Sequence, residues 1–110
     1  MIRVYIASPY TIGDVAVNVR AQLDAADLVI EMGAAPLAPL MSHFQHMAHP
    51  RPYETWMALD VEWLPLCHAV WRLPGQSAGA DREVVMAKER GLPVFTDAVT
   101  LHRFIVEWRP

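Results

Sequence analysis

Residues 71–95, WRLPGQSAGADREVVMAKERGLPVF, constrain the fold more tightly than any other stretch of the chain. Ala69 to Leu73 is an apolar segment that reads as a strand, and Pro74-Gly75 signals a turn. A loop of small residues follows, Ser77-Ala78-Gly79-Ala80, and then a helix with Asp81 and Glu83 expected in its first turn. Gly91 ends that helix, and a second apolar strand, Pro93 to Thr96, begins at once. This is a β-loop-α-β unit, and ligands of parallel α/β sheets sit at the carboxyl ends of the strands. Small residues allow a ligand close to the backbone, and a helix start offers unpaired N–H groups to an anion.

The rest of the chain supplies strands and helices for that unit to pack against. Ile2 to Ala7 alternates apolar and polar residues and predicts the first strand, placed centrally. It runs into Ser8-Pro9-Tyr10-Thr11, a loop on the ligand side. Asp14 caps a helix predicted to reach Met32, with Val19, Leu23, Ala26 and Ile30 on its buried face and Gly33 closing it. Ala34 to Leu40 would be the second strand; Pro36 and Pro39 each remove a ladder donor, which puts it at a sheet edge. Met41 to Pro52 is rich in His and Pro and reads as irregular. Helices are predicted over Tyr53 to Leu66 and Asp97 to Trp108. The expectation is an α/β fold over residues 1–110 as one domain: a small flavodoxin-like, or Rossmann-like, three-layer sandwich. Its parallel sheet has four or five strands in the order 2-1-3-4, any fifth following.

Composition narrows the class of function. With 54% hydrophobic and 19% charged residues, the chain is expected to fold compactly. A net charge of -3 argues against a nucleic-acid polymer as partner. The apolar runs are short and broken by Pro, Gly or charge, so no membrane span is expected. No basic segment followed by a long apolar run opens the sequence, and the single Cys67 suits a reducing compartment, so a cytoplasmic location is expected. Four Trp in 110 residues is a surplus, to be used either in the core or at a subunit interface.

A few residues could carry chemistry. Near a helix start the dipole favours an ionised Glu83, which suits a nucleophile; alternatively Asp81 and Glu83 only complement the helix end. Asp60 is either a solvated helix residue or the second carboxyl of a pair with Glu83, the minimum for cleaving a glycosidic bond. Ser77, between Gly75 and Gly79, could bind a phosphate or a sugar hydroxyl, or simply cap a helix. Tyr5 could reach a carboxylate over the sheet or sit satisfied in the core. His43, His46 and His49 are spaced by three, unlike the i, i+4 pair of a zinc-binding helix, and no Cys or Glu completes a set. A histidine such as His43 contacting a ligand is preferred to a metal site, and no cofactor is expected. Cys67 flanks a buried strand and reads as inert.

With these residues set out, the chain resembles the nucleoside 2-deoxyribosyltransferase-like superfamily, and within it the small DUF4406 branch. The resemblance spans nearly the whole length. It rests on Val4-Tyr5-Ile6-Ala7-Ser8-Pro9-Tyr10, on Asp60 to Val70, and most specifically on Arg72 to Val94. It implies that Glu83 is the nucleophile attacking the anomeric carbon, that Asp60 helps protonate the departing base, and that Tyr5 orients Glu83. Ser77 falls where the true transferases keep an Asp on the sugar and where the nucleoside monophosphate glycosidases keep a Ser on the 5′-phosphate. The resemblance thus implies an N-glycosidase acting on (deoxy)nucleoside 5′-monophosphates, with Ser8, Pro9, Tyr10, His43, Ser77 and Gly79 around the ligand. It also implies a homodimer or higher homo-oligomer, with Trp56 and Trp63 available for packing between subunits.

Three other readings stand beside it. Base exchange between nucleosides is the superfamily's other chemistry. The phosphoribohydrolases that release cytokinin-type bases share a similar sheet, but their PGGxGT signature is replaced here by Pro74-Gly75-Gln76-Ser77-Ala78-Gly79. A module that binds or senses nucleotides without turnover is the third, and beyond it an oligomeric structural protein would neither bind nor turn over nucleotides.

Overall fold

The computed structural model describes residues 1–110. Four strands, β1 (Arg3–Ala7), β2 (Ala35–Leu37), β3 (Ala69–Arg72) and β4 (Val94–Phe95), pair in parallel in the order β2-β1-β3-β4. Val4 to Ala7 of β1 lies opposite Ala69 to Arg72 of β3, and Val70-Trp71 of β3 opposite Val94-Phe95. The expected order therefore holds, with four strands and no fifth. β2 is the edge strand; Pro36 sits opposite Val4 and brings no N–H of its own to the sheet.

Alternation along the central strands divides the core into two faces. Ile2, Val4, Ile6, Trp71 and Leu73 face one side and pack against α1 (Val15–Glu31) and α5 (Ala98–Glu107), the latter anchored by the fully buried Leu101. Tyr5, Ala7 and Val70 face the other side and pack with Leu64, Cys67, Ala80 and Ala87. That second side is covered by α4 (Ala78–Glu89) and by the 3₁₀ turn Leu64–Leu66, which follows α3 (Tyr53–Trp63). Helix, sheet and helix make three layers. Asp14, Ser77 and Asp97 cap α1, α4 and α5, each side chain accepting from the backbone N–H three residues on.

The structure departs from the sequence reading in four places. The stretch expected to be irregular, Met41 to Pro52, contains α2 (Ser42–Ala48), preceded by a 3₁₀ turn at Pro39–Met41. The seven residues SHFQHMA hold no helix breaker, and the surrounding prolines only bound them. α3 stops at Trp63, because Pro65 turns its last residues into a 3₁₀ turn. β2 and β4 are also shorter than their apolar runs. Finally, α1 buries Val19, Gln22, Ala25, Ala26 and Val29, leaving Ile30 59% exposed. The helix is rotated from the expected face because Gln22, though polar, is drawn into the core by three hydrogen bonds described below. No helix is long and apolar enough to cross a membrane.

Candidate active site

At the carboxyl ends of β1 and β3 the two following loops diverge, one toward α1 and one toward α4, on opposite faces of the sheet. A crevice at this reversal of strand order is where open α/β sheets bind ligands. Here it is a cavity of about 260 Å³. Ser8, Tyr10, Thr11 and Ile12 line it from the β1–α1 loop, and Gln76 to Ala80 with Glu83 line it from the other side. Tyr53, Trp56, Met57 and Asp60 of α3 form a further wall, and His46 of α2 closes the ring.

The loops are held from below. Gln22 is 1% exposed; its Nε2 donates to the Ile6 carbonyl (3.2 Å) and to Ser8 Oγ (2.8 Å), and its Oε1 accepts from the Leu40 N–H (2.7 Å). One amide thus joins the end of β1, the loop after it and the 3₁₀ turn after β2. On the other side, Arg72 at the end of β3 donates to the carbonyls of Leu73 and Gly75 and pairs with Asp81 at 3.0 Å. Gly75 has φ +116, and a Cβ there would come within 2.7 Å of Pro9 Cγ. Only glycine lets the two loops touch in this way. Gly79 serves close approach too: a Cβ at that position would lie 2.6 Å from the Tyr53 hydroxyl.

Glu83 is the one charged side chain in the core, 6% exposed. α4 begins at Ala78, so Glu83 lies in the second turn, and Asp81 alone occupies the first. The helix dipole fades within the first turn, and burial decides the outcome instead: it pushes the Glu83 carboxyl up to about 7. The Tyr5 hydroxyl, which donates to Glu83 Oε2, opposes that rise; the charge of Asp60 adds to it; Arg72 and Arg82 draw it back. Burial also raises Asp60 to about 6. Tyr5 itself is fully buried, its hydroxyl driven strongly upward by burial and by the neighbouring Glu83 and Asp60 carboxylates, so it is a fixed donor. The site therefore holds two carboxyls whose protons come and go near neutral pH, one of them gripped by a phenol. Such a pair can supply a nucleophile and a proton donor.

The other expected residues divide by position. Ser8, Tyr10, Ser77 and Gly79 line the cavity. Ser77 Oγ accepts from the Ala80 N–H at 3.1 Å as the α4 cap, and its own N–H and those of Ala78 and Gly79 lie at the helix start. Pro9 is buried beneath Gly75 rather than on the wall. His43 is also off the wall: its Nδ1 lies 2.6 Å from the Tyr10 hydroxyl. The histidine on the wall is His46, whose Nδ1 accepts from Trp56 Nε1 at 2.8 Å. No group of three or more His, Cys, Asp or Glu is placed to hold a metal ion. Cys67 is buried and its thiol is pushed up to about 11, which keeps it protonated.

Sequence reasoning passed over Gln22, Tyr53 and Trp56 as wall or support residues and, among three candidate histidines, singled out His43 where His46 is on the wall. Gln22 carried a signal, being a polar residue in an otherwise apolar helical stripe. The others carried none, since their placement depends on how α2 and α3 pack over the sheet.

In fold, the chain is similar to a 2-deoxyribosyltransferase from the psychrotolerant bacterium Bacillus psychrosaccharolyticus, described as a biocatalyst for nucleoside synthesis. The two superpose with a TM-score of 0.61 at 15% identity, over 90% of this chain and 77% of that one. At that identity the likeness is one of fold. No curated protein matches the chain in sequence. The branch expected from the sequence, DUF4406, is not the one whose family model fits. Residues 2–97 match the family described as "Domain of unknown function (DUF7768)", and the chain belongs to that family.

Proposed function

We propose that this chain is an N-glycosidase of (deoxy)nucleoside 5′-monophosphates, with Glu83 as nucleophile, Asp60 as proton donor and Tyr5 orienting Glu83. The observation that carries the reading is the pairing of two carboxyls, both raised toward neutrality by burial, on one cavity at the carboxyl ends of the central strands. Between their two values the pair holds about one proton, which belongs to the dyad rather than to either residue. The productive form has Glu83 ionised and Asp60 protonated. Because burial raises Glu83 above Asp60, it is the less populated of the two one-proton forms, and the Tyr5 hydroxyl, which favours the Glu83 carboxylate, narrows the gap.

In the first step a Glu83 carboxylate oxygen attacks the anomeric carbon and forms an ester. The N-glycosidic bond breaks, its electron pair leaves with the base, and the Asp60 proton goes to that base. In the second step ionised Asp60 takes a proton from water, which attacks the same carbon and releases the sugar phosphate, restoring the Glu83 carboxylate. The 5′-phosphate would rest on the N–H groups that open α4 and on Ser77. In this reading the chain works as a homodimer or higher homo-oligomer, with the half-exposed Trp63 and Leu66 available for contact between copies.

Incubation with a panel of nucleoside monophosphates and the matching nucleosides, with free base read by chromatography, tests the proposal. Base release from the monophosphates, abolished in Glu83→Ala, is the expected result; release retained in that variant overturns the assignment. Base exchange between nucleosides is the second reading. It is favoured by the absence of Lys and Arg from the cavity wall, which leaves a phosphate dianion to neutral donors alone. Transfer of the sugar to an added free base, without need of the phosphate, would select it. Binding without any base release would mark a sensing module.

A further inference from the structure

His46 is hydrogen-bonded in a way that fixes which of its nitrogens carries hydrogen. Trp56 Nε1 can only donate, and it donates to His46 Nδ1 at 2.8 Å; the backbone N–H of Arg51 points to the same nitrogen at 3.3 Å. Two donors on Nδ1 leave no room for a hydrogen there. The neutral ring must then carry its hydrogen on Nε2, and His46 lines the cavity. The two rings meet edge to face, with centroids 5.6 Å apart, so the imidazole is held in orientation as well as in tautomer.

The position of this donor follows from α3. Trp56 and Asp60 are four residues apart and share a helix face, about 6 Å from each other along the axis. Both line the cavity. Under the proposed function, which this inference rests on, Asp60 protonates the departing base, so the base lies against this part of the wall. We propose that His46 is a specificity-determining residue: its Nε2–H reads an exocyclic carbonyl oxygen on the edge of the base. Trp56 is the positioning residue that sets the tautomer. A base that shows only donors at that edge leaves the Nε2–H facing a second hydrogen and is rejected.

The test uses the Glu83→Gln chain, which binds without turnover, and two pairs of probes. One pair is 2′-deoxyinosine 5′-monophosphate and its analogue lacking the 6-oxo group. The other is 2′-deoxyuridine 5′-monophosphate and its analogue lacking the 4-oxo group. Calorimetry is expected to show one oxo compound binding on the order of tenfold more tightly than its partner, a preference erased by adding His46→Phe and partly restored by His46→Gln. Long-range proton–nitrogen NMR of the histidines is expected to show His46 as the Nε2–H form, and a mixture of tautomers in Trp56→Phe. An Nδ1–H ring in the unaltered chain overturns the inference, as does an oxo preference that survives His46→Phe, or no oxo preference at all. Failure of all four probes to bind overturns the proposed function and this inference together, whereas binding indifferent to His46 overturns only the inference.

Discussion

Replacing Glu83 with Gln is expected to make the protein more stable at neutral pH while removing its activity. Burial holds the Glu83 carboxyl near 7 instead of its ordinary 4.5. Each pH unit between the folded and unfolded values corresponds to about 1.4 kcal/mol, so carrying an ionised Glu83 costs the fold about 3 kcal/mol above pH 7. The sign follows from proton counting. Below pH 4.5 the group is protonated in both states and costs nothing. Between pH 4.5 and about 7 the unfolded chain releases the proton first, so the contribution of Glu83 to stability falls as pH rises, and above that window the whole deficit is present. Gln keeps the shape, and its carbonyl oxygen can still accept from Tyr5, but it has no charge to desolvate. Urea unfolding of both proteins from pH 4 to 9 reads the effect as a difference, in which Glu83 and its coupling to Asp60 appear together and the remaining titrating groups, common to both, cancel. The expected difference is near zero at pH 4 and about 3 kcal/mol in favour of Gln at pH 8, roughly 13 °C in melting temperature for a chain of this size. A difference that stays flat across the range, or a Gln variant less stable at pH 8, refutes the claim that burial governs this carboxyl.

The remaining expectations concern the partners of Glu83. Asp60→Asn should slow base release by about 10²- to 10⁴-fold, yet spare an N7-methylated purine nucleotide, whose base leaves without needing a proton; equal losses on both, measured as kcat/KM, would exclude Asp60 as proton donor. Tyr5→Phe removes a hydrogen bond that lowers the Glu83 pKa, so the limb of the pH–rate profile that reports Glu83 ionisation should move to higher pH, and a limb that stays or falls would refute the role given to the phenol. Gln22→Leu strands the Leu40 N–H and the Ile6 carbonyl and should cost on the order of 3 kcal/mol in denaturant unfolding; a loss under 1 kcal/mol would mean that the two loops are held by other contacts.

The fold was largely legible because its signals were local and redundant. Alternation in Ile2 to Ala7, caps at Asp14, Ser77 and Asp97, and the prolines of the second strand each pointed to the observed sheet. What escaped was decided by contacts distant in sequence. α1 offers two nearly equivalent apolar stripes, and only the acceptors and donors presented by Ile6, Ser8 and Leu40 choose the one that carries Gln22 inward. The position of Glu83 was legible, but its charge state was not. A one-turn error in where α4 begins turned a dipole argument into the wrong sign, and no residue near Glu83 in sequence reports that α3 and β1 bury it. His46 and His43 differ by less than one helical turn, so which of them meets the cavity depends on how α2 is seated.

A small α/β sheet can keep a carboxyl in its core when the polar groups around it are satisfied. No buried side-chain nitrogen or oxygen lacks a partner, so the polar groups beneath the cavity are held before any ligand arrives. Gln22 ties the two loops on one side, Arg72 ties the loop on the other, Tyr5 grips Glu83 and Trp56 grips His46. Of these, Glu83 alone is held in an environment that opposes its charge. A ligand whose reacting carbon gains positive character beside Glu83 would favour the ionised carboxylate that burial disfavours, so the stabilisation is greatest in the transition state, where it lowers the barrier. On this argument the instability expected of the native chain above pH 7, relative to the Gln variant, and the activity lost in that variant have one physical cause: a carboxylate deprived of water until the reaction itself supplies a positive charge.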